Sequence, residues 1–521
     1  MSQGRLRPLS WALLPGAAVL WAAALPNVLG NGWGVLGWLA PVPLFLFLRQ
    51  RSWGAAILGG ALFSFFLILF TQFWLLTFQP VAFAVVSTVE IPEYALAFGV
   101  LALFERWWPR TAPWWQALVW TAFEWLRTVG FLGYPYASLA STQWQLSWVL
   151  QTASWAGPWL VTALMAAWAA WSARLVKNRA SVLWSWGGVS AAVVVLVGWG
   201  AWRQAVWQAQ EVTAPKVSFA LVQHVQDPWK GGYSAYEAGY QKLKNLTEAA
   251  QAHNPASIVV WSETAFVPSV FYHEKYRDPT PDTNLVLELV SWLKSRSEAF
   301  LIGNDHREKV FKDGKLRDED WNAVLAWQGQ WTGIYKKRRL VPFTESFPYR
   351  RELPWVWQWL EDQDTHFWQA GTQANTLTVA GVKVGTPICF EDAFGSTCRP
   401  FVKNGAQVLV NVTDDSWSGS VVPMRLHLAL AVWRAVENRV PLVRSANGGT
   451  TAAVAPDGTL LARYPEFTPG VLKVKVPLAK MKRTFYTRWG DWAGRLALVG
   501  VFVGLVGALL LRWRGRSRAR T

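Results

Sequence analysis

The sequence predicts a multi-span α-helical membrane domain joined to an α/β extramembrane domain. Three observations predict it. The chain is 52% hydrophobic and only 16% charged, against about 25% charged in a typical soluble domain. Apolar stretches of about 20 residues, the length that spans a bilayer core, crowd the first 205 positions and recur near the C-terminus. Between them, residues 213–478 turn to short β-branched runs alternating with helix-like stretches. This composition excludes a disordered chain, which would be poor in apolar residues. The 38 tryptophans suit a protein with much of its surface at membrane–water interfaces.

Seven apolar stretches precede residue 205: 10–29, 33–48, 54–77, 83–105, 113–131, 148–172 and 183–202. An eighth runs over 492–511, with Arg495 near its outer end. The first follows Arg5 and Arg7 as a signal peptide would. It lacks a convincing small-residue cleavage site and is taken as a span. Basic residues then mark alternate connections: Arg49 and Arg51 after span two, Arg106 and Arg110 after span four, and Arg174, Lys177 and Arg179 after span six. The connections after spans one, three and five carry no Lys or Arg. The positive-inside rule therefore predicts a cytoplasmic N-terminus. Residues 206–490 then lie outside, and the tail with Arg512, Arg514, Arg516, Arg518 and Arg520 lies back in the cytoplasm. The net charge of +17 gathers around apolar segments, which argues for membrane orientation and against a nucleic-acid partner. The expected domains are 1–205 (seven transmembrane helices), 206–480 (extracytoplasmic) and 481–521 (one helix and an Arg-rich tail).

Acids among the early spans are costly to bury in lipid. Glu124 and Arg127 are three apart and share a helix face, so they can pair. Glu90 and Glu93 flank Pro92, again three apart. Either they line a polar cavity for a lipid headgroup, or they sit near the interface with span four starting later.

Within 213–478 the strand-like runs are Val217–Val222, Ile258–Trp261, Phe300–Ile302, Val382–Thr386, Val408–Val412 and Leu442–Ser445. The helix-like stretches are Tyr236–His253, Thr283–Ser297 and Arg425–Asn438. That alternation reads as α/β, and a segment of this length can bury its own core. Several strand ends deliver polar groups into turns, where α/β sheets place their chemistry. Trp261-Ser262-Glu263 ends in a carboxylate. Pro387-Ile388-Cys389 ends in a thiol. Tyr335 through Glu345 supplies Lys336, Lys337, Arg338, Arg339 and a second carboxylate. Taken singly, each has an ordinary reading: a helix or turn cap, a buried inert thiol, a solvated basic face. Cys389 and Cys398 are the two cysteines and can also be read as a disulfide. Two cysteines make no disulfide framework and no zinc pattern, and no metal or organic cofactor is implied. Together in this order, Glu263, Lys337 and Cys389 supply a base, an oxyanion-stabilising cation and a nucleophile, the parts of an acyl-transfer site.

The order Trp-Ser-Glu-Thr-Ala-Phe-Val-Pro, then Tyr-x-Lys-x-x-Leu-Val-Pro-Phe-x-Glu, then Ile-Cys-Phe-Glu resembles the nitrilase (carbon–nitrogen hydrolase) superfamily. With seven spans before that domain and one after, the whole chain resembles the bacterial apolipoprotein N-acyltransferases. Further matches are Gly133-Tyr134-Pro135-Tyr136 with Gln143, Asn411 through Trp417, and Arg434 through Arg439 with Arg444 and Asn447. The resemblance implies a nitrilase-like αββα sandwich with Glu263 as general base, Lys337 as oxyanion stabiliser and Cys389 as nucleophile. It further implies Glu345 and Glu391 as supporting acids, and Trp417, Trp229 and Phe390 as substrate-contacting residues. The family's register selects Lys337 over Lys336. The sequence departs from the family at Phe390 (usually Tyr), Ser262 (usually Pro), Thr344 (usually Gly) and Gln223-His224-Val225 (usually Gln-Gly-Asn). None of these removes a catalytic group.

The activity so implied is transfer of an acyl chain from a membrane glycerophospholipid to the α-amine of an S-diacylglyceryl-cysteine, through a thioester. The partners are phospholipid, diacylglyceryl apolipoproteins and the bilayer, and the chain is expected to act as a monomer. Two rivals stand beside it: a membrane-tethered amidase that uses water as acceptor, and a transporter or receptor whose outer domain only binds lipid. Seven spans are more than a tether needs, and the complete Glu–Lys–Cys set argues against a mere binder. The segment Pro354–Leu360, rich in tryptophan, is either an arm dipping into the interface or core packing.

Overall fold

The computed structural model describes residues 10–49, 51–78, 80–176, 179–227, 229–312, 314–362, 366–478 and 483–518. Arg5, Arg7, Lys177 and Arg520 of the orientation argument lie outside them. The chain forms two compact units. One comprises Met1–Trp207, Ser418–Glu437 and Thr484–Thr521, and the other Gln208–Trp417 and Asn438–Arg483.

The first unit is helical. Among the described residues, four helices have the length and apolar character to cross a membrane: Trp53–Thr71, Pro80–Trp107, Ser181–Thr213 and Trp492–Trp513. Leu13–Ala24 and Gly34–Leu48 are shorter apolar helices. Their ends follow local chemistry. Ser52 caps Trp53–Thr71 by accepting a hydrogen bond from Ala55 N at 3.3 Å. The expected span 148–172 is not one helix. Two short turns, Ser147–Leu150 and Ala153–Ala156, lead to Gly157 in a left-handed conformation (φ 65°). A new helix, Trp159–Leu175, starts only after Pro158. Gly60 lets Trp53–Thr71 meet Pro80–Trp107 closely, since a Cβ there would lie 2.5 Å from Tyr94 O.

The buried acids of this unit do not pair as their spacing predicts. Arg127 bonds Glu90, which is buried, and lies 3.7 Å from Glu93. It does not bond Glu124. The Glu124 carboxylate instead accepts from Leu139 N (2.6 Å), Trp120 Nε1 (3.1 Å) and Thr162 Oγ1 (3.0 Å). Sharing a helix face left Arg127 two choices, and the fold supplied a partner from another helix. Pro80–Trp107 runs through Pro92 without ending there, so this helix begins well before the two acids.

The second unit is built on two six-stranded sheets. The strands are β1 (Lys216–Gln223), β2 (Ile258–Trp261), β3 (Ala299–Lys312), β4 (Lys315–Trp327), β5 (Trp331–Lys336), β6 (Leu377–Val379), β7 (Val382–Gly385), β8 (Val408–Asp414), β9 (Leu442–Asn447), β10 (Ala452–Val454), β11 (Leu460–Arg463) and β12 (Gly470–Pro477). Their orders are β12-β1-β2-β3-β4-β5 and β11-β10-β9-β8-β7-β6. In each sheet three parallel strands, β1-β2-β3 or β7-β8-β9, are flanked by antiparallel ones. The sheets meet face to face: Ser445 Oγ of β9 lies 3.1 Å from both Val222 O and Val260 O of the other sheet.

Helices Tyr233–Gln251 and Pro281–Lys294 cover the first sheet. Tyr240, Leu243, Leu285, Leu289 and Leu293 close a core over Val222, Val259, Trp261, Phe300 and Ile302. Burying each such side chain stabilises by about 1.5–3 kcal/mol. On the second sheet, Phe401 of the helix Gly395–Lys403 packs where Gly385 has no side chain. A Cβ there would lie 2.5 Å from Phe401 Cβ. The fold comprises a nitrilase-like α/β domain and a helical unit with several long apolar helices.

Candidate active site

The parallel strands end together, and their ends carry the polar groups that the sequence singles out. Glu263 follows β2 directly. Behind it Thr264 is held at φ 43°, and Cys389, just past β7, at φ 49°. A non-glycine residue in the left-handed region is disfavoured, and a β-branched one such as Thr264 is strained. Both turns are therefore tightly determined by their surroundings.

Glu263 is 5% exposed. Its Oε1 accepts from Lys337 Nζ at 3.0 Å and Asn322 Nδ2 at 2.7 Å, and its Oε2 accepts from Asp414 N at 2.8 Å. Lys337 is fully buried, although it lies in a run whose ordinary reading is a solvated face. Its main chain is fixed on both sides, with N donating to Asn322 O (2.8 Å) and O accepting from Gly371 N (2.7 Å). Its ammonium sits between Glu263 and Glu345 Oε1 (2.7 Å). Burial works against that charge, but the two carboxylates outweigh it and hold the Lys337 pKa well above the ordinary lysine value. The cation is therefore permanent at neutral pH. Burial raises the Glu345 pKa, and Lys337 opposes the rise. Glu345 Oε2 also accepts from Val341 N at 2.9 Å, which fixes the turn after β5.

Cys389 is partly exposed, and it is not bonded to the buried Cys398, which excludes the disulfide reading. Its thiol lies within electrostatic reach of Glu263, Lys337 and Glu345. Burial pushes its pKa well above the ordinary thiol value, Glu263 adds to the rise and Lys337 opposes it. At rest the group is a protonated thiol. A protonated thiol needs a base before it can act as a nucleophile, and of the neighbouring carboxylates Glu263 acts on this one most strongly.

Glu391 is a clasp. Its carboxylate accepts from Tyr335 OH (2.9 and 2.8 Å), Arg338 N (2.9 Å), Arg339 N (3.0 Å) and Ile388 N (2.9 Å). One buried carboxylate thus ties the strand end bearing Lys337 to the turn bearing Cys389. Arg444, fully buried on β9, braces the same turn from behind. It donates to Asp392 Oδ2 and Asp415 Oδ2, each at 2.7 Å. Of the expected substrate contacts, Trp229 and Trp417 are exposed, 41% and 43%. Trp417 is anchored by Nε1 donating to Asp414 O at 2.8 Å, while Trp229 stacks on His366 with ring centroids 5.4 Å apart. Phe390 is buried edge-on against Phe394. Sequence reasoning missed Asn322 and Asp414 as groups that touch Glu263. Asp414 stood within a matched motif, whereas Asn322 carried no local signal.

Residues 219–486 match the carbon–nitrogen hydrolase family, and residues 17–171 match the apolipoprotein N-acyltransferase N-terminal domain. A Treponema denticola protein named apolipoprotein N-acyltransferase 1 is 34% identical over 533 residues, covering 96% of this chain and 97% of its own. Its Treponema pallidum namesake is 35% identical over 526 residues, with 96% of each chain covered. A Geobacter metallireducens apolipoprotein N-acyltransferase is 30% identical over 403 residues, covering 76% of this chain and 73% of its own. Similarity over nearly the full length of the two Treponema relatives, with both domain matches on this chain, means that the chain belongs to the apolipoprotein N-acyltransferase family and is an acyltransferase.

Proposed function

We propose that the enzyme transfers an acyl chain from a glycerophospholipid to the α-amine of the S-diacylglyceryl-cysteine at the N-terminus of apolipoproteins, through a thioester on Cys389. The observation that carries the reading is the Lys337 ammonium held between Glu263 and Glu345 beside the Cys389 thiol. The names of the relatives support the lipoprotein acceptor.

In the first half-reaction Glu263 takes the thiol proton as sulfur attacks the ester carbonyl. The oxyanion forms against Lys337, an electrostatic contact worth most in a water-poor site. The carbon–oxygen bond breaks, and the proton passes to the glycerol oxygen of the departing lysophospholipid. In the second, the acceptor amine attacks the thioester and gives a proton to Glu263. The carbon–sulfur bond breaks, and the proton returns to sulfur. An amide is left on the lipoprotein. Dividing the reaction in two suits an amine acceptor, because thioesters are readily attacked by amines.

The alternating basic connections support a multi-pass protein of the bacterial cytoplasmic (inner) membrane, with both termini inside and the catalytic domain on the outer face. The division 1–205, 206–480 and 481–521 belongs to the same proposal, as does action as a monomer. Trp229, Trp417 and Phe390 are proposed to meet substrate directly or through the turns they pack in. The exposed Trp355 and Trp359 of the helix Pro354–Glu361 support an arm at the interface.

The test is Cys389→Ser in a cell with no second enzyme of this kind, with the mass of lipoprotein N-termini as readout. Loss of the triacylated form is expected. Its persistence would contradict the reading.

A further inference from the structure

Asn447 ends β9, the strand that faces the other sheet at Ser445, and its carboxamide is spent on two other loops. Nδ2 donates to Gln226 O at 2.6 Å and to Asp414 Oδ2 at 2.9 Å, and Oδ1 accepts from Gln226 N at 3.1 Å. Gln226 belongs to the loop after β1 that carries Trp229, where Trp229 N donates to Asp227 Oδ1 at 2.9 Å. Asp414 opens the turn that carries Trp417. Its main-chain N donates to Glu263, its O accepts from Trp417 Nε1, and its Oδ1 accepts from Ser416 N (2.9 Å) and Ser416 Oγ (2.6 Å).

The residues after Asn447 are shaped for this approach. Gly448 sits at φ +70°, and a Cβ on it would lie 2.9 Å from Ser416 Cβ. A Cβ on Gly449 would lie 2.5 Å from Asp415 Oδ2. Main-chain Asn447 O accepts from Asp415 N at 3.3 Å. One buried amide therefore holds a tryptophan-bearing loop on one side and the turn that supplies a hydrogen bond to Glu263 on the other.

We propose that Asn447 is a positioning residue for the acyl transfer, keying the Trp229 loop and the Trp417 turn to each other and to Glu263. The proposal rests on the reading of Glu263 as the base of the thioester chemistry. It assigns Asn447 no contact with substrate. The loop that carries Trp229 and the turn that carries Trp417 are both tied to this one side chain, so its loss loosens both together with the turn that supplies a hydrogen bond to Glu263.

The purified full-length enzyme in detergent–phospholipid micelles, with a diacylglyceryl lipopeptide as acceptor, tests it through two variants. Asn447→Ala removes all three hydrogen bonds. KM for phospholipid and lipopeptide is expected to rise roughly tenfold, about the effect of losing one or two buried hydrogen bonds, with kcat falling less. Asn447→Asp keeps the acceptor for Gln226 N but sets a carboxylate against Asp414. Two facing carboxyls share a proton when the pH falls, and a shared proton restores a donor. The activity of Asn447→Asp relative to the parent enzyme at the same pH is expected to climb as pH is lowered from 8 to 6.

Parental KM in Asn447→Ala, or a ratio for Asn447→Asp that stays flat with pH, overturns the proposal. Should Asn447→Ala not fold, the Asn447→Asp ratio decides alone. A thioester on Cys389 of the parent enzyme, seen by intact mass, separates this from the underlying reading. Thioester formation with a flat ratio defeats only the role of Asn447, whereas absence of the thioester defeats both.

Discussion

Glu263 and Lys337 have opposite effects on the Cys389 thiol, and this makes the residue scale testable. The Glu263 carboxylate raises the thiol pKa, so Glu263→Gln removes a negative charge and makes the thiol more acidic. Alkylation of Cys389 by iodoacetamide should then proceed at lower pH than in the parent, while acyl transfer falls roughly 100-fold or more for want of the base. Alkylation and catalysis moving together would deny Glu263 that role. Lys337→Met should do the reverse to the thiol: its alkylation profile shifts to higher pH, and transfer falls roughly 100- to 1,000-fold with the oxyanion contact gone. The three residues were legible in the sequence because each stands in a motif at a strand end. Asn322 was not. It bonds Glu263 across 59 positions of chain, and a lone asparagine within β4 announces nothing locally.

Among the elements, the strands legible as apolar runs are β1, β2, β3, β7, β8 and β9, the parallel strands of the two sheets. Parallel strands are buried on both faces and read as continuous β-branched runs. The flanking antiparallel strands are mixed in composition. The first half of β4, Lys315 through Asp320, is largely charged and exposed, so it shows no apolar pattern to find. The span at 148–172 misled for a related reason. Apolar composition is continuous there, and only Gly157-Pro158 marks the break. Element packing also makes a sharp prediction. A Cβ on Gly303 of β3 would lie 2.0 Å from Ser262 O and 2.8 Å from Glu263 Cα. Gly303→Ala must displace the main chain that carries Glu263. Activity should drop at least tenfold in protein that still folds, as read by transfer rate against thermal unfolding. An unchanged rate would mean that the β2 turn tolerates a shift. Glu391→Gln, keeping shape but losing the charge behind four hydrogen bonds, should lower both stability and activity. Charged hydrogen bonds of this kind contribute about 1.5–3 kcal/mol each.

For the whole molecule, the alternating basic connections predict which face of the membrane each loop meets. A cysteine at exposed Lys230 should react with an impermeant maleimide in intact spheroplasts, and one at exposed Arg110 only after permeabilisation. The reverse pattern would invert the topology. The central claim, however, is chemical: the enzyme carries the acyl chain on the Cys389 sulfur between two lipid substrates. It is tested most directly by incubating the purified protein with phospholipid alone and measuring intact mass and the modified peptide. One acyl chain on the Cys389 peptide, removed when diacylglyceryl lipopeptide is added and recovered on its α-amine, is the predicted result. No adduct, or an adduct that water but not the amine releases, would contradict it.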